Sequence, residues 1–461
     1  MTRRQRRLTV SVATLVAVVS GAAAGFLLLE GGEKAEAETP TPAAAVLSPR
    51  RAPDALHELV AGTRLASRVN ALMRSLAPTS CAVVRANAAT VVSFKPDQLL
   101  MPASALKLTT AAAFLAKAGG KAKFATHVWY PRKDASGAVA TLALEGTGDP
   151  LLATKGYVET RKHPPKPFTD FTKIATAVRA AGITRVTGTI VVVDSAYDTE
   201  RRVPSWSSGY TATGDVGPLG ALALNDGFSS YAPLVAAPDP GLAAAAELRN
   251  ELVAAGVAVE GQTVRGARPA NATNDISVES APFADVVTEM LTESDNNTAE
   301  LLLKELAKRA GAKPATRDAG VAERAAALKA LGIDPAGVHA IDGSGLDRSD
   351  RATCNALVET LTMHPGGYDL EQMLAVAGQT GTLDDRFTTS RLAGTLRAKT
   401  GSLDGVTALV GVVDPRAKVK LRFAFIANGS FSDAGGKSLQ DRLVAALATY
   451  PEAPPVQELA P

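Results

Sequence analysis

The stretch Pro102-Ala-Ser-Ala-Leu-Lys107 opens an alanine- and leucine-rich run that ends at Ala118, just before two glycines. A proline near the start and a glycine after the end are typical of a helix, which the sequence therefore predicts here. Residues three apart on a helix share a face, so Lys107 can hold its amine against the hydroxyl of Ser104. A serine hydroxyl needs such a base, and a buried lysine can lose its proton and serve. The spacing alone is a weak signal, because a solvated lysine at a helix start gives the same pattern.

A second candidate is Ser294-Asp-Asn296, which lies in a polar break between two stretches of helical periodicity. Two interpretations remain open for it. Ser294 or Asn296 can be the N-cap of a helix that begins at Thr298. Alternatively, the Ser294 hydroxyl and the Asn296 amide point into a cleft, as a proton relay and as a donor to substrate.

The third candidate is Lys399-Thr-Gly401, at the start of a predicted strand. Gly401 has no side chain, so the backbone of a ligand can come close. The backbone N–H of Ser402 can point at a developing oxyanion. The alternative is an ordinary strand entry with a lysine at the sheet edge.

The pattern of helices and strands predicts an α+β fold, an antiparallel sheet flanked by helices, with a β-rich domain inserted. The chain ends in a predicted hairpin, Gly405–Val413 and Val419–Ala427, followed by a helix. We expect an N-terminal anchor or signal segment at 1–29 and a linker at 30–53. The main domain is expected in two pieces, 54–124 and 279–450, with the inserted domain at 125–278 between them and a flexible tail at 451–461.

The N-terminus predicts export. Residues 8–29 carry no charge and follow four arginines, which keep their own flank cytoplasmic. The run is long for a cleaved signal and just long enough to span a bilayer, so an uncleaved membrane anchor is expected, with cleavage near Ala35-Glu-Ala37 as the alternative. The Ala- and Pro-rich residues 30–53 indicate a tether.

Charge and composition exclude several classes of function. The chain of 461 residues is 46% hydrophobic and 21% charged, an ordinary globular composition. Without the four N-terminal arginines, 45 basic side chains face 46 acidic ones, which argues against nucleic-acid binding. The five histidines are scattered, so no metal site and no cofactor are expected. Cys81 and Cys354 can pair in an exported protein or remain two buried thiols.

The three motifs occur once each and in this order, as in the penicillin-recognising serine enzymes. The chain resembles the class C low-molecular-mass penicillin-binding proteins, the D-alanyl-D-alanine carboxypeptidase/endopeptidases of the penicillin-binding protein 4 type, over about residues 56–450. The resemblance rests on the stretches 102–111, Gly146-Thr-Gly-Asp-Pro150, Ser294-Asp-Asn-Asn-Thr-Ala-Glu300, Asp342-Gly-Ser-Gly-Leu-Asp-Arg348, Gly381-Thr-Leu383 and Ala398-Lys-Thr-Gly-Ser-Leu403. It implies a penicillin-binding/β-lactamase-like transpeptidase domain that carries an inserted domain.

The resemblance also implies a role for each site residue. Ser104 would be the acylated nucleophile and Lys107 its proton acceptor, while Ser294 would relay the proton to the leaving D-alanine. Asn296 would hold the substrate amide and Lys107, and Lys399 and Thr400 would bind the terminal carboxylate. The N–H groups of Ser104 and Ser402 would form the oxyanion hole, and Arg348 would meet a carboxylate on the stem peptide. The other residues expected to line the substrate site are Gly401, Asp404, Tyr210 and Asp215.

The sequence departs from the family pattern outside the three motifs. The insert is shorter than is usual. Tyr210 stands where the family carries an acid, with Asp215 the nearest acid, and this puts recognition of a diaminopimelate amine in doubt. Asp347 replaces a small polar residue before Arg348, whose alternative role is an ion pair with Asp347 or Asp350.

The expected function is that of an exported serine D-alanyl-D-alanine carboxypeptidase, with D,D-endopeptidase activity left open. Its expected partners are a peptidoglycan stem peptide ending in D-Ala-D-Ala, β-lactams that acylate Ser104, and the membrane, with no nucleic acid. The alternatives are a β-lactamase or related esterase and a catalytically weak peptidoglycan-binding scaffold. A hydrolase elbow at Ser344 is disfavoured, because the first glycine of that motif and a histidine partner are missing.

Overall fold

Strands from the two ends of the chain pair in one antiparallel sheet. The computed structural model describes residues 52–76, 79–161, 167–414 and 419–452. The sheet has six strands, which in spatial order are β17 (Ala375–Val376), β18 (Arg397–Leu403), β19 (Val406–Val413), β20 (Leu421–Asn428), β1 (Ser80–Ala86) and β2 (Ala89–Phe94). The predicted C-terminal hairpin is β19 and β20, and β20 pairs on its other side with β1.

Both faces of this sheet are covered by helices. Successive side chains of a strand point to opposite faces, so Val83 joins one apolar core and its neighbours Ala82 and Val84 join the other. One core contains α1 (Ala52–Arg74) and α11 (Asp433–Leu447), and the other contains α2 (Lys107–Ala118), α7 (Phe283–Glu293), α8 (Asn296–Arg309), α9 (Arg317–Ala330) and α10 (Cys354–Thr362). This confirms the predicted α+β fold with a helix-flanked antiparallel sheet.

A disulfide ties the sheet to one of these helices. Cys81 on β1 is bonded to Cys354 at the start of α10, with the two Cα atoms 6.0 Å apart. Both residues are buried in the same apolar core. Of the two possibilities that the sequence left open, the structure therefore contains the bonded pair.

The β-rich region between α2 and α7 builds sheets of its own. A five-stranded sheet has the order β13 (Thr263–Arg265), β9 (Ile190–Val193), β5 (Leu142–Glu145), β3 (Ala125–Tyr130) and β14 (Asn274–Glu279). A parallel three-stranded sheet has the order β12 (Ala258–Val259), β8 (Arg185–Val186) and β4 (Ala138–Val139). Helices α4 (Thr172–Ala180) and α6 (Pro240–Ala254) share a third apolar core with these strands. The boundaries predicted for an inserted domain, 125–278, stay a prediction.

The remaining elements are short. They are the strand pairs β6 (Leu152–Ala153) with β7 (Thr169–Asp170), β10 (Phe228–Tyr231) with β11 (Leu234–Ala236) and β15 (Val338–His339) with β16 (Arg351–Ala352), and the helices α3 (Lys155–Thr160) and α5 (Gly209–Ala212).

The predicted anchor, 1–29, lies outside the described residues, as do nearly all of the predicted linker and residues 453–461 of the predicted tail. Within the described ranges, every helix is too short or too polar to cross a bilayer.

Candidate active site

Ser104 and Lys107 lie where a tight turn becomes a helix. Residues Ala103–Leu106 form a 3₁₀ turn and Lys107 is the first residue of α2. Side chains three apart are eclipsed in a 3₁₀ helix, and the Lys107 Nζ lies 2.8 Å from the Ser104 Oγ. Ala103 takes a positive φ of 46°, which is uncommon outside glycine and sets the direction of the turn. The predicted pairing of hydroxyl and amine is therefore present.

The Lys107 amine is fully buried and surrounded by three oxygens. Besides Ser104, it donates to the Asn296 Oδ1 at 2.6 Å and to the Ser344 carbonyl at 2.8 Å. Burial lowers the pKa of Lys107 to about 8, although nearby carboxylates oppose that shift. A neutral amine has two N–H donors and one lone pair, so it can keep both latter bonds while the lone pair accepts the serine proton. This geometry suits a general base.

The segment Ser294-Asp-Asn296 is the joint between α7 and α8. Ser294 ends α7 in the left-handed region, with φ 65° and ψ 32°. Asp295 is the N-cap of α8, its Oδ1 accepting from the Thr298 N–H at 2.7 Å. The cap is therefore Asp295 and the helix begins at Asn296, so the expectation that Ser294 or Asn296 caps a helix beginning at Thr298 is wrong. The Ser294 and Asn296 side chains remain available to the site. The second amide atom of Asn296, Nδ2, donates to the Asp215 carbonyl at 2.7 Å.

The third motif lies within β18. The buried Lys399 Nζ is 2.8 Å from the Ser294 Oγ and 2.9 Å from the Thr400 carbonyl oxygen. Burial holds the pKa of Lys399 well below its ordinary value, and the nearby Lys107 lowers it further. The second lysine thus joins β18 to the Ser294 joint, so all three motifs meet through side-chain hydrogen bonds.

Gly401 allows a close contact between two backbone segments that the sequence did not indicate. A Cβ at this position would lie 2.6 Å from the Pro102 carbonyl oxygen and 3.2 Å from the Ala105 nitrogen. The missing side chain therefore lets β18 pack against the turn that carries Ser104. Its predicted contact with substrate stays a prediction.

One cavity of about 700 Å³ collects most of the predicted site residues. Ser104, Ser294 and Asn296 line it, together with six of the residues predicted to bind substrate: Thr400, Ser402, Arg348, Asp404, Tyr210 and Asp215. Lys107 and Lys399 lie buried beneath its floor, in contact with the two serines. Sequence reasoning missed several charged lining residues, among them Arg161, Asp226, Glu293 and Arg386, because no motif marks them.

Arg348 lies at the rim of this cavity. Its Nη2 donates to the Asp404 carbonyl at 3.0 Å, and it makes no ion pair with Asp347 or Asp350, so the bracing alternative is absent. The neighbouring Tyr210 hydroxyl is 3.4 Å from the Leu346 carbonyl, and partial burial raises the pKa of Tyr210. The guanidinium is exposed and can receive an anion.

Ser344 does not act as a nucleophile elbow. It is wholly buried and is not among the residues that line the cavity. What it contributes is the backbone carbonyl that binds Lys107. The glycines on either side of Ser344 permit close packing of the loop, but they do not single out this carbonyl. Among the described residues, no group of His, Cys, Asp or Glu is arranged to hold a metal ion.

A serine on a turn, a buried lysine in contact with its hydroxyl and a second lysine on the facing strand are the arrangement that a serine acyl-transfer enzyme requires. The chain belongs to the D-Ala-D-Ala carboxypeptidase 3 (S13) family, whose model matches residues 70–233 and 229–450. It is thus a serine-type carboxypeptidase of the penicillin-binding protein 4 type, as the motifs predicted.

Named relatives agree with this assignment. The chain is 31% identical to carboxypeptidase DacB of Mycolicibacterium smegmatis, over 96% of this chain and 97% of the relative. It is 28% identical to the D-alanyl-D-alanine carboxypeptidase of an Actinomadura species, over 76% and 77% of the two chains. In fold it is similar to penicillin-binding protein 4 of Haemophilus influenzae, with a TM-score of 0.69 and 20% identity over 82% and 98%.

We predict that Gly401→Ala slows acylation of Ser104 without unfolding the protein. The added Cβ meets backbone atoms, so β18 and the serine turn must move apart, and a shift of about 1 Å costs about 100-fold in rate. Stopped-flow kinetics with a chromogenic cephalosporin measure the effect. The control is Gly62→Ala in α1, where the new Cβ has only an ordinary 3.4 Å contact with Val91. Equal rates for the two variants would contradict this account.

We also predict that the acylation rate rises with pH. Below a pKa of about 8 the Lys107 amine holds a proton and cannot accept another, so the rate should grow about tenfold per pH unit and level off above pH 9. Acylation rate constants measured from pH 6 to 9.5, with circular dichroism at each pH as the folding control, provide the check. A rate that is flat across this range would exclude Lys107 as the titrating base.

Proposed function

We propose that the protein removes the terminal D-alanine from peptidoglycan stem peptides through an acyl-enzyme at Ser104. The observation that carries this proposal is the 2.8 Å contact between the Ser104 hydroxyl and the buried amine of Lys107. The family and the carboxypeptidase names of the relatives support the substrate class.

In the acylation step, the Ser104 Oγ attacks the carbonyl carbon of the peptide bond between the two D-alanines. Lys107 takes the hydroxyl proton, and the N–H groups of Ser104 and Ser402 receive the developing oxyanion. The C–N bond then breaks, and Ser294 passes the proton to the departing amine. Water, activated by the same lysine, hydrolyses the ester and frees Ser104.

Lys399 and Thr400 bind the carboxylate of the terminal D-alanine in this proposal. An approaching carboxylate favours the charged form of a neighbouring amine. The pKa of Lys399, which burial lowers, therefore rises when substrate binds, and the resulting ion pair is strong because water is excluded. Asn296 orients the substrate amide, and Arg348 meets a carboxylate on the stem-peptide side chain.

Intact-protein mass spectrometry after brief exposure to benzylpenicillin tests the proposal. We expect a persistent adduct on Ser104, no adduct in Ser104→Ala, and loss of nearly all acylation in Lys107→Ala because the hydroxyl then lacks its base. Release of D-alanine from a pentapeptide ending in D-Ala-D-Ala should follow the same order, and release from a crosslinked peptide dimer would add endopeptidase activity.

Other outcomes of this experiment point to the alternatives. An adduct that vanishes within seconds while hydrolysed drug accumulates would indicate a β-lactamase. Folded protein that binds stem peptide without any adduct or turnover would indicate a scaffold. Normal acylation of Lys107→Ala would contradict the proton-transfer role.

We further propose that the enzyme is exported and held at the bacterial membrane by residues 8–29. The uncharged run and the arginines that precede it support this placement. In a bacterial host, the full chain should stay in the membrane fraction after a carbonate wash, whereas residues 53–461 behind a cleavable signal should be released. If expression of the full chain gives a secreted protein whose N-terminus follows Ala37, the anchor is contradicted.

A further inference from the structure

A glycine-rich loop, residues 342–348, lies directly beneath the serine turn. Its Ser344 carbonyl is one of the three oxygens around the Lys107 amine. Gly345 has a φ of 86°, and a Cβ there would lie 2.0 Å from the Ala103 carbonyl oxygen. The Thr110 hydroxyl of α2 donates to the Gly343 carbonyl at 2.8 Å. The position of Lys107 therefore depends on where this loop is held.

The loop is held by one side chain of α8. Glu300 is 1% exposed, and its Oε1 accepts the N–H of Gly343 at 2.9 Å and the N–H of Ser344 at 2.8 Å. Asn296 lies one helical turn earlier on the same helix, and it binds Lys107 directly. Helix α8 thus fixes the amine twice, once through an amide side chain and once through the loop.

We propose that Glu300 is a positioning residue for acylation: its carboxyl group binds Gly343 and Ser344 and so places the Ser344 carbonyl against the Lys107 amine. This inference rests on the proposed function, because it concerns the base in that reaction. Glu300 lies outside the residues that line the cavity and acts through Ser344.

The charge of Glu300 adds an electrostatic effect to this placement. Together with Asp342 and Asp295 it raises the pKa of Lys107, while the charged groups facing Glu300 itself are Asp342, Arg317, Arg324 and Lys107. Lys399 is the other charged group close to Lys107. Burial and Asp342 raise the pKa of Glu300 to about 8. Because one oxygen accepts both N–H bonds, the clamp persists when the other oxygen is protonated.

Two substitutions in the full chain separate placement from charge. Glu300→Gln keeps an oxygen that can accept both bonds, so its acylation rate at high pH should stay within about fivefold of wild type. The pH dependence between pH 6 and 8 should stay close to that of wild type, because Glu300, whose pKa is about 8, is mostly uncharged there in wild type as well. Glu300→Ala removes the acceptor and should lower the acylation rate about 100-fold at every pH.

Glu305→Gln is the matched control, because Glu305 is 2% exposed on the same helix but pairs with Arg309 and Tyr197. The rate of benzylpenicillin acylation from pH 6 to 9.5 should leave this control like wild type. Two results would overturn the proposal: a folded Glu300→Ala at the wild-type rate, or a Glu300→Gln as slow as Glu300→Ala. If Glu300→Ala fails to fold, the acylation rate of Glu300→Gln at high pH decides. A wild type that is not acylated at Ser104 contradicts the proposed function instead.

Discussion

The structure of this site depends on burying the amine of Lys107. An amine removed from water is costly unless its hydrogen bonds are replaced. Its three oxygen partners, from Ser104, Asn296 and Ser344, belong to three distant parts of the chain. The serine turn, the start of α8 and the glycine-rich loop must therefore converge at one point, and the helices that carry them share one apolar core. Catalytic geometry and folding are thus governed by the same contact.

A second buried amine makes the site a receptor for anions. Burial and the nearby Lys107 lower the pKa of Lys399, and the oxygen atoms bound to Lys399 belong to Ser294 and Thr400, which are uncharged acceptors. Glu293 is the carboxylate that raises the pKa of Lys399, and in the proposed mechanism the substrate carboxylate adds a second negative charge next to this lysine. On the opposite side, Glu300 and Asp342 already oppose the positive charge of Lys107. The difference between the two lysines therefore arises from their surroundings, and in the proposed mechanism Lys107 accepts the proton while Lys399 binds the ligand.

The chemistry of the site could be predicted from the sequence because it resides in short motifs, whereas the geometry that joins the motifs could not. Ser104 and Lys107 are one turn apart, so local periodicity was enough to place them together. Asp295 is the helix cap because Ser294 before it takes a left-handed conformation, and this leaves the Ser294 and Asn296 side chains for the site. Composition does not predict such a conformation at a serine. The Ser344 carbonyl was also beyond prediction, since every residue has a carbonyl and only tertiary packing selects one.

Because tertiary packing sets the geometry of the site, glycines and residues with positive φ are concentrated around the serine turn. Positive φ angles at Ala103 and Ser294 cost about 1–2 kcal/mol each relative to ordinary helical conformation. Gly401 and Gly345 remove side chains where backbone must touch backbone around the serine turn. None of these features improves the stability of the fold, so they must be offset by packing elsewhere. The sheet with an apolar core on each face and the bond between Cys81 and Cys354 provide that rigid support. Rigidity is useful in return, because the proposed reaction needs Ser104, Lys107 and strand β18 fixed to within a fraction of an ångström before substrate arrives.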